Sequence, residues 1–152
     1  MITPLPDSLA SALASRNVNT ALREIARHVS AQAGTVHWLD LQSGLLTLAA
    51  HLNIPPQIAE IIGTVPIGKG IAGLAAQKRQ PISICNLQTD DSGQARPAAK
   101  STGMEGSLAV PMLVEGELRG VLGVAKAQEH DWTAEEKSLL LAYASAMGEF
   151  AP

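Results

Sequence analysis

Apolar positions recur along this chain with two different periods. Between Asn17 and Ala33, Val18, Leu22, Ile25 and Val29 follow at steps of four, three and four, with Arg16, Arg23, Glu24 and Arg27 off the stripe. That is the pattern of an amphipathic helix with one buried face, and Gly34 is its expected stop. A second helical pattern covers Ala134 to Phe150, where Leu140, Tyr143, Met147 and Phe150 form the main stripe and Leu139, Leu141 and Ala144 widen it. Thr133 and Glu136 carry the spacing of a capping box at its start. Asp7 to Ser15 predicts a short helical segment ahead of both.

The rest of the chain reads mostly as strands. Thr35 to Leu41 and Leu45 to Ala50 form a pair joined by Gln42-Ser43-Gly44, and Ser107 to Val114 and Leu118 to Ala125 form a pair closed by the two-residue turn Glu115-Gly116. Between the pairs lie short helices over Pro55 to Ile62 and Gly70 to Lys78, then a brief strand over Pro81 to Cys85. A polar stretch from Asn86 to Glu105 follows, with one or two helical turns expected over Ala95 to Ser101. A connection of about 20 residues in a compact domain is usually a lid, a binding loop or a disordered segment. Strands in antiparallel pairs imply an α+β fold with one antiparallel sheet, not a doubly wound parallel one. The side chains that strand alternation projects from Ser107, Ala109, Pro111, Val121, Gly123 and Ala125 are mostly small, which leaves room for a cavity on one face.

One motif argues against that scaffold. Gly68-Lys69-Gly70-Ile71-Ala72-Gly73 matches the GxGxxG dinucleotide fingerprint, with Asp90 and Asp91 near the expected acidic position. The fingerprint needs a buried parallel strand before it. Here His51 to Gly63 reads as a proline-started helical turn with a glycine stop, and only Thr64-Val65-Pro66-Ile67 remain, interrupted by a proline. The glycines are therefore read as structural: Gly68 and Gly70 permit a tight turn and Gly73 lets the next helix approach the sheet. The amides opening that helix, with Lys69, are a candidate anion site.

Composition narrows the function. The 152 residues are 46% apolar with a mean hydropathy of +0.13, enough for one domain with a full core. A net charge of −3 gives no footprint for nucleic acid or an anionic membrane. No apolar run reaches membrane-spanning length and no signal peptide opens the chain. The single cysteine, Cys85, cannot form an internal disulfide and reads as a small buried hydrophobe, so a cytoplasmic location is expected. His28, His37, His51 and His130 lack two-ligand spacing, so no metal site is expected.

Taken together, four segments resemble the GAF domain family: Val65-Pro-Ile-Gly-Lys-Gly-Ile-Ala-Gly73, Gln80-Pro-Ile-Ser-Ile-Cys85, Gly106-Ser-Leu-Ala-Val-Pro-Met-Leu-Val-Glu-Gly-Glu-Leu-Arg-Gly-Val-Leu-Gly-Val124 and Trp132-Thr-Ala-Glu-Glu-Lys-Ser-Leu-Leu139. The resemblance covers residues 17–150 as a single domain, with 1–16 as an N-terminal extension or short helix. It implies a GAF/profilin-like three-layer arrangement. A central antiparallel sheet of five or six strands would carry the terminal helices on one face, and short helices plus a long lid loop on the other.

The resemblance further implies a non-catalytic, cytoplasmic sensory domain of the bacterial kind. It would bind an unidentified small molecule and act on a partner signalling protein or a fused output domain, with no other cofactor. The implied ligand-binding set is Trp38, Ile67, Lys69, Gly70, Leu87, Met104, Ser107, Ala109, Val121, Gly123 and Ala125. A homodimer is implied through the terminal helices, with Leu22, Ile25, Leu140, Tyr143 and Met147 as its contacts. Lys69 stands where the family commonly has an acidic residue, and Asn86 where an aspartate often begins the lid. Two alternatives stay open. One is an assembly module with a vestigial pocket. The other, disfavoured by the single cysteine, is a redox enzyme of the free methionine-R-sulfoxide reductase type. The Asn-Lys and Phe-Asp residues of cyclic-nucleotide-binding relatives have no counterpart, and four aromatic residues offer little stacking surface to a bilin.

Overall fold

The computed structural model describes residues 7–152. Six antiparallel strands, β1 (Ala33–Leu39), β2 (Leu45–Leu52), β3 (Thr64–Pro66), β4 (Ile82–Ile84), β5 (Gly106–Val114) and β6 (Glu117–Lys126), form one sheet in the order β3-β2-β1-β6-β5-β4. Helices α1 (Asp7–Ala14), α2 (Val18–His28) and α6 (Ala134–Gly148) cover one face. On the other lie α3 (Pro56–Ile61), α4 (Gly70–Lys78) and α5 (Pro97–Lys100). The three layers and the α+β class are those expected from the sequence. No helix among the described residues is long and apolar enough to cross a membrane.

Strand alternation sorts the chain into two cores. Leu108, Val110, Leu122 and Val124 point to the terminal helices, where they meet Leu22, Ile25, Leu140 and Met147. Ala109 and Val121 point the other way, into a cluster with Leu46, Val65, Ile71, Ala75 and Leu87. The β5–β6 hairpin turns on Glu115 and Gly116, both left-handed with φ of 52° and 79°. That is the two-residue turn whose twist matches its strands. Pro66 sits in the edge strand β3, opposite Leu45, where a missing N–H donor is tolerated.

Two expectations change. First, α2 stops at His28 rather than running to Ala33. Ser30 is left-handed (φ 55°) and Ala31 N–H donates to the Ala26 carbonyl at 2.8 Å, a reversal that closes the helix and frees Ala33 to start β1. The short helix expected over Asp7 to Ser15 is present as α1, which lies on α2 with Leu9 fully buried, while residues 1–6 of the expected extension lie outside the described part. Second, Leu22, Ile25, Leu140, Tyr143 and Met147, expected at a dimer contact, are at most 3% exposed within a single chain. Their stripe is covered by this chain's own sheet. The capping box forms as read: Thr133 Oγ1 accepts from Glu136 N–H at 3.1 Å, and Glu136 Oε1 accepts from Thr133 N–H at 2.9 Å.

Candidate functional site

The small residues of β5 and β6 leave a cavity of about 140 Å³ between the sheet and its α4–α5 cover. Its floor follows from register. Ser107 faces Ala125, Ala109 faces Gly123, and Gly123 faces Thr35 across the neighbouring pair, so Thr35 and His37 of β1 share that floor. Larger side chains at these positions would close the space. Ile54, Ile58, Ile62 and Val65 form an apolar wall. The start of α4 (Lys69 to Ala72), Leu87, and Arg96 to Met104 of the long loop complete it.

That loop is ordered by bonds mostly within itself. Leu87, 2% exposed, anchors its base, and Leu87 N–H donates to the Glu105 carbonyl at 2.8 Å. Gln88 Nε2 donates to the carbonyls of Lys100 and Met104 at 2.9 and 2.8 Å. Lys100 Nζ reaches the Asp90 carbonyl at 2.8 Å. Between this base and α5, the segment meets the rest of the chain through side-chain packing.

Beside the hydroxyls of Thr35, Thr102 and Ser107, three nitrogen-bearing side chains border the cavity. His37 is 2% exposed, and its Nε2 lies 2.9 Å from the Ile62 carbonyl. A carbonyl only accepts, so Nε2 carries the proton and Nδ1 is left as an acceptor, buried and without a partner. Burial pushes the imidazole pKa down, opposed only by the Ile62 bond, so the ring is held neutral. Arg96 lays its stem over Gly70, where an added Cβ would meet Arg96 Cγ and Cδ at 2.9 Å, and its Nη1 is buried with no partner. Lys69 caps α4 with backbone only, and no acidic residue stands in that helix's first turn. The lining contains Lys69, Arg96 and His37 but no carboxylate. Lys69, Gly70 and Arg96 also border a second, more open groove beside Ser92 to Pro97.

A neutral buried histidine sets a pH dependence. Its folded pKa lies below the unfolded value of 6.5, so its stabilising contribution is complete above pH 6.5 and is lost as pH falls toward the folded value. Urea midpoints measured from pH 7.5 to 5 are expected to fall more steeply for the wild type than for His37→Phe. Parallel curves would show that His37 titrates like a solvated side chain.

Of the residues singled out from the sequence, Lys69, Gly70, Leu87, Met104, Ser107, Ala109, Gly123 and Ala125 line the cavity. Three do not. Trp38 alternates with His37 onto the opposite face and meets Phe150 edge-on at 6.1 Å. Ile67 is 39% exposed on the outside of the turn before α4. Val121 is on the cavity face but is packed into the surrounding apolar cluster. Thr35, His37, Ile58, Ile62 and Arg96 were not anticipated. Thr35 and His37 become visible only once β1 is known to pair with β6. Cys85, read as buried, is exposed beyond β4 and away from the cavity lining. Among the described residues no cluster of three metal-ligating side chains occurs.

The sequence model of the GAF domain family matches residues 16–150. No curated protein matches the chain in sequence. Many solved structures share its fold. The GAF domain from an Acinetobacter phosphoenolpyruvate-protein phosphotransferase is 18% identical with a TM-score of 0.76, over 95% of this chain and 90% of that one. A free methionine-R-sulfoxide reductase from Neisseria meningitidis, in complex with its substrate, is 15% identical with a TM-score of 0.76, over 95% and 86%. A domain of a putative two-component sensor histidine kinase from Sinorhizobium meliloti is 14% identical with a TM-score of 0.68, over 95% and 91%.

Proposed function

The chain belongs to the GAF domain family, generally one of small-molecule-binding sensory domains, and on that premise we propose that it is a non-catalytic, cytoplasmic sensor. It encloses a small ligand between the sheet and the 86–105 segment and passes occupancy on through its terminal helices. The observation that carries this reading is the cavity itself. A floor of Ser107, Ala109, Gly123 and Ala125 keeps about 140 Å³ open in a domain whose other layer is filled with leucine, isoleucine and methionine. Interiors are close-packed, and an unfilled space costs stability. A binding role accounts for keeping it.

The route outward is short. Ser107 and Ala109 alternate along β5 with Leu108 and Val110, which lie in the core shared with α2 and α6. A ligand that shifts β5 therefore moves the seat of both terminal helices. Pairing of two copies through those helices belongs to the same proposal. It would use their outward positions, such as exposed Ala142 and half-buried Leu139 and Leu141, in place of the buried stripe. A fused or separate signalling partner would read that change. The non-catalytic reading is supported by Cys85, which lies outside the cavity lining with no second thiol to resolve it.

Ser107→Leu tests the reading. The added side chain is expected to fill the floor, leave stability within about 1 kcal/mol of wild type, and abolish ligand-dependent changes in the hydrogen exchange of residues 86–105. A variant that binds and orders the loop like the wild type would place the ligand elsewhere.

A further inference from the structure

The charged groups around the cavity, Lys69 and Arg96, are both cationic, and with the buried His37 they bear on the ligand class. At one end stand the first-turn amides of α4. Gly70, Ile71 and Ala72 N–H groups have no backbone or side-chain acceptor among the described residues, as expected for a helix start, and all three residues border the cavity. Lys69 and Arg96 flank them, and Arg96 Nη1 is a buried donor without a partner. No lining carboxylate competes for these charges. A helix N-terminus with two cations and no counter-charge favours an anion.

Independently, His37 is a nearly fully buried side chain projecting from the cavity face of β1, with one nitrogen used and the other an unpartnered acceptor. It calls for a donor on the ligand. An ammonium would be buried beside Lys69 and Arg96 with no lining carboxylate to offset it, whereas a hydroxyl donates without adding charge. Ile54, Ile58, Ile62 and Val65 then ask for an apolar body. The volume of about 140 Å³ limits that body to roughly the size of benzene, which an engineered cavity of about 150 Å³ accepts.

Resting on the sensory reading above, we propose that the ligand is a short-chain hydroxy-carboxylate. Its carboxylate is held by the α4 amides, Arg96 and Lys69, its hydroxyl donates to His37 Nδ1, and its branched alkyl body fills the apolar wall.

Four probes separate the parts: α-hydroxyisocaproate, isocaproate, leucine and the neutral α-hydroxyisocaproamide, each titrated calorimetrically into the full chain. α-Hydroxyisocaproate is expected to bind tightest. Loss of the hydroxyl should weaken binding roughly threefold to tenfold, and loss of the charge roughly tenfold or more. Arg96→Gln, a partly exposed and foldable position, should weaken both acids roughly tenfold while leaving the amide unchanged. An amide that binds as tightly as the acid, or an Arg96→Gln effect shared by all probes, would overturn the anion site while leaving a sensory cavity in place. Leucine binding better than α-hydroxyisocaproate would overturn the hydroxyl assignment. Binding by none of the four would overturn the ligand class, and a freshly purified chain that also carries no co-purified small molecule in native mass spectrometry would overturn the sensory reading as well.

Discussion

Gly73→Ala is expected to destabilise the protein by about 2–4 kcal/mol, measured by urea denaturation. A Cβ at this position would lie 2.5 Å from the Pro66 carbonyl oxygen and 3.1 Å from the Gly68 nitrogen, both backbone atoms that cannot rotate aside. The turn is also locked around it. Gly68 N–H donates to the Gly73 carbonyl at 2.8 Å, Gly73 N–H to Lys69 at 3.1 Å, and Lys69 N–H to Pro66 at 3.1 Å. Gly93→Ala is the control, because nothing lies within 4 Å of its Cβ direction. With φ of 80° it carries only the left-handed penalty, about 1 kcal/mol. Equal effects at the two positions would mean that Gly73 is not the point where the helix seats on the turn. The same contacts explain why a GxGxxG match is present without a dinucleotide scaffold. The third glycine seats α4 on the three-residue turn Ile67-Gly68-Lys69 that follows an edge strand, where the fingerprint would place it at the head of a parallel βαβ unit.

Leu22→Ala is expected to cost about 2–5 kcal/mol and to leave the oligomeric state unchanged in sedimentation velocity. Leu22 is 1% exposed and its Cδ1 lies over Gly34 of β1, so truncation opens a void at the junction of α2 and the sheet. A dimer-contact leucine would behave in the opposite way, with a modest stability loss and a concentration-dependent shift in mass. Separation of those two outcomes decides whether the amphipathic stripe of α2 belongs to the monomer core.

The sequence disclosed the elements whose signals are local. The Thr133–Glu136 capping box, the Glu115-Gly116 turn and the alternation of small residues on β5 and β6 all depend on neighbours within a few positions, and they lie where they were read. Of the six small positions they pointed to, Ser107, Ala109, Gly123 and Ala125 line the cavity and Pro111 and Val121 do not. What the sequence hid depends on distant partners. The apolar stripes of α2 and α6 reveal a face to be covered, but periodicity does not say whether a sheet or a second chain covers it. Trp38 and His37 are adjacent, and only the register with β6 decides which points at the cavity. Arg96 lies in a polar loop whose sequence resembles any solvated connection. Its place over Gly70 arises from a fold-level contact, as does the left-handed Ser30 that ends α2 early.

Chemical-shift mapping of ¹⁵N-labelled protein titrated with α-hydroxyisocaproate tests the central claim most directly. The account predicts saturable shifts concentrated at the amides of Gly70 to Ala72, the cavity-facing residues Thr35, His37, Ser107, Ala109, Gly123 and Ala125, and the 86–105 segment, all lost in Ser107→Leu. Shifts confined to the outer faces of α2 and α6, or none at saturating probe, would contradict it.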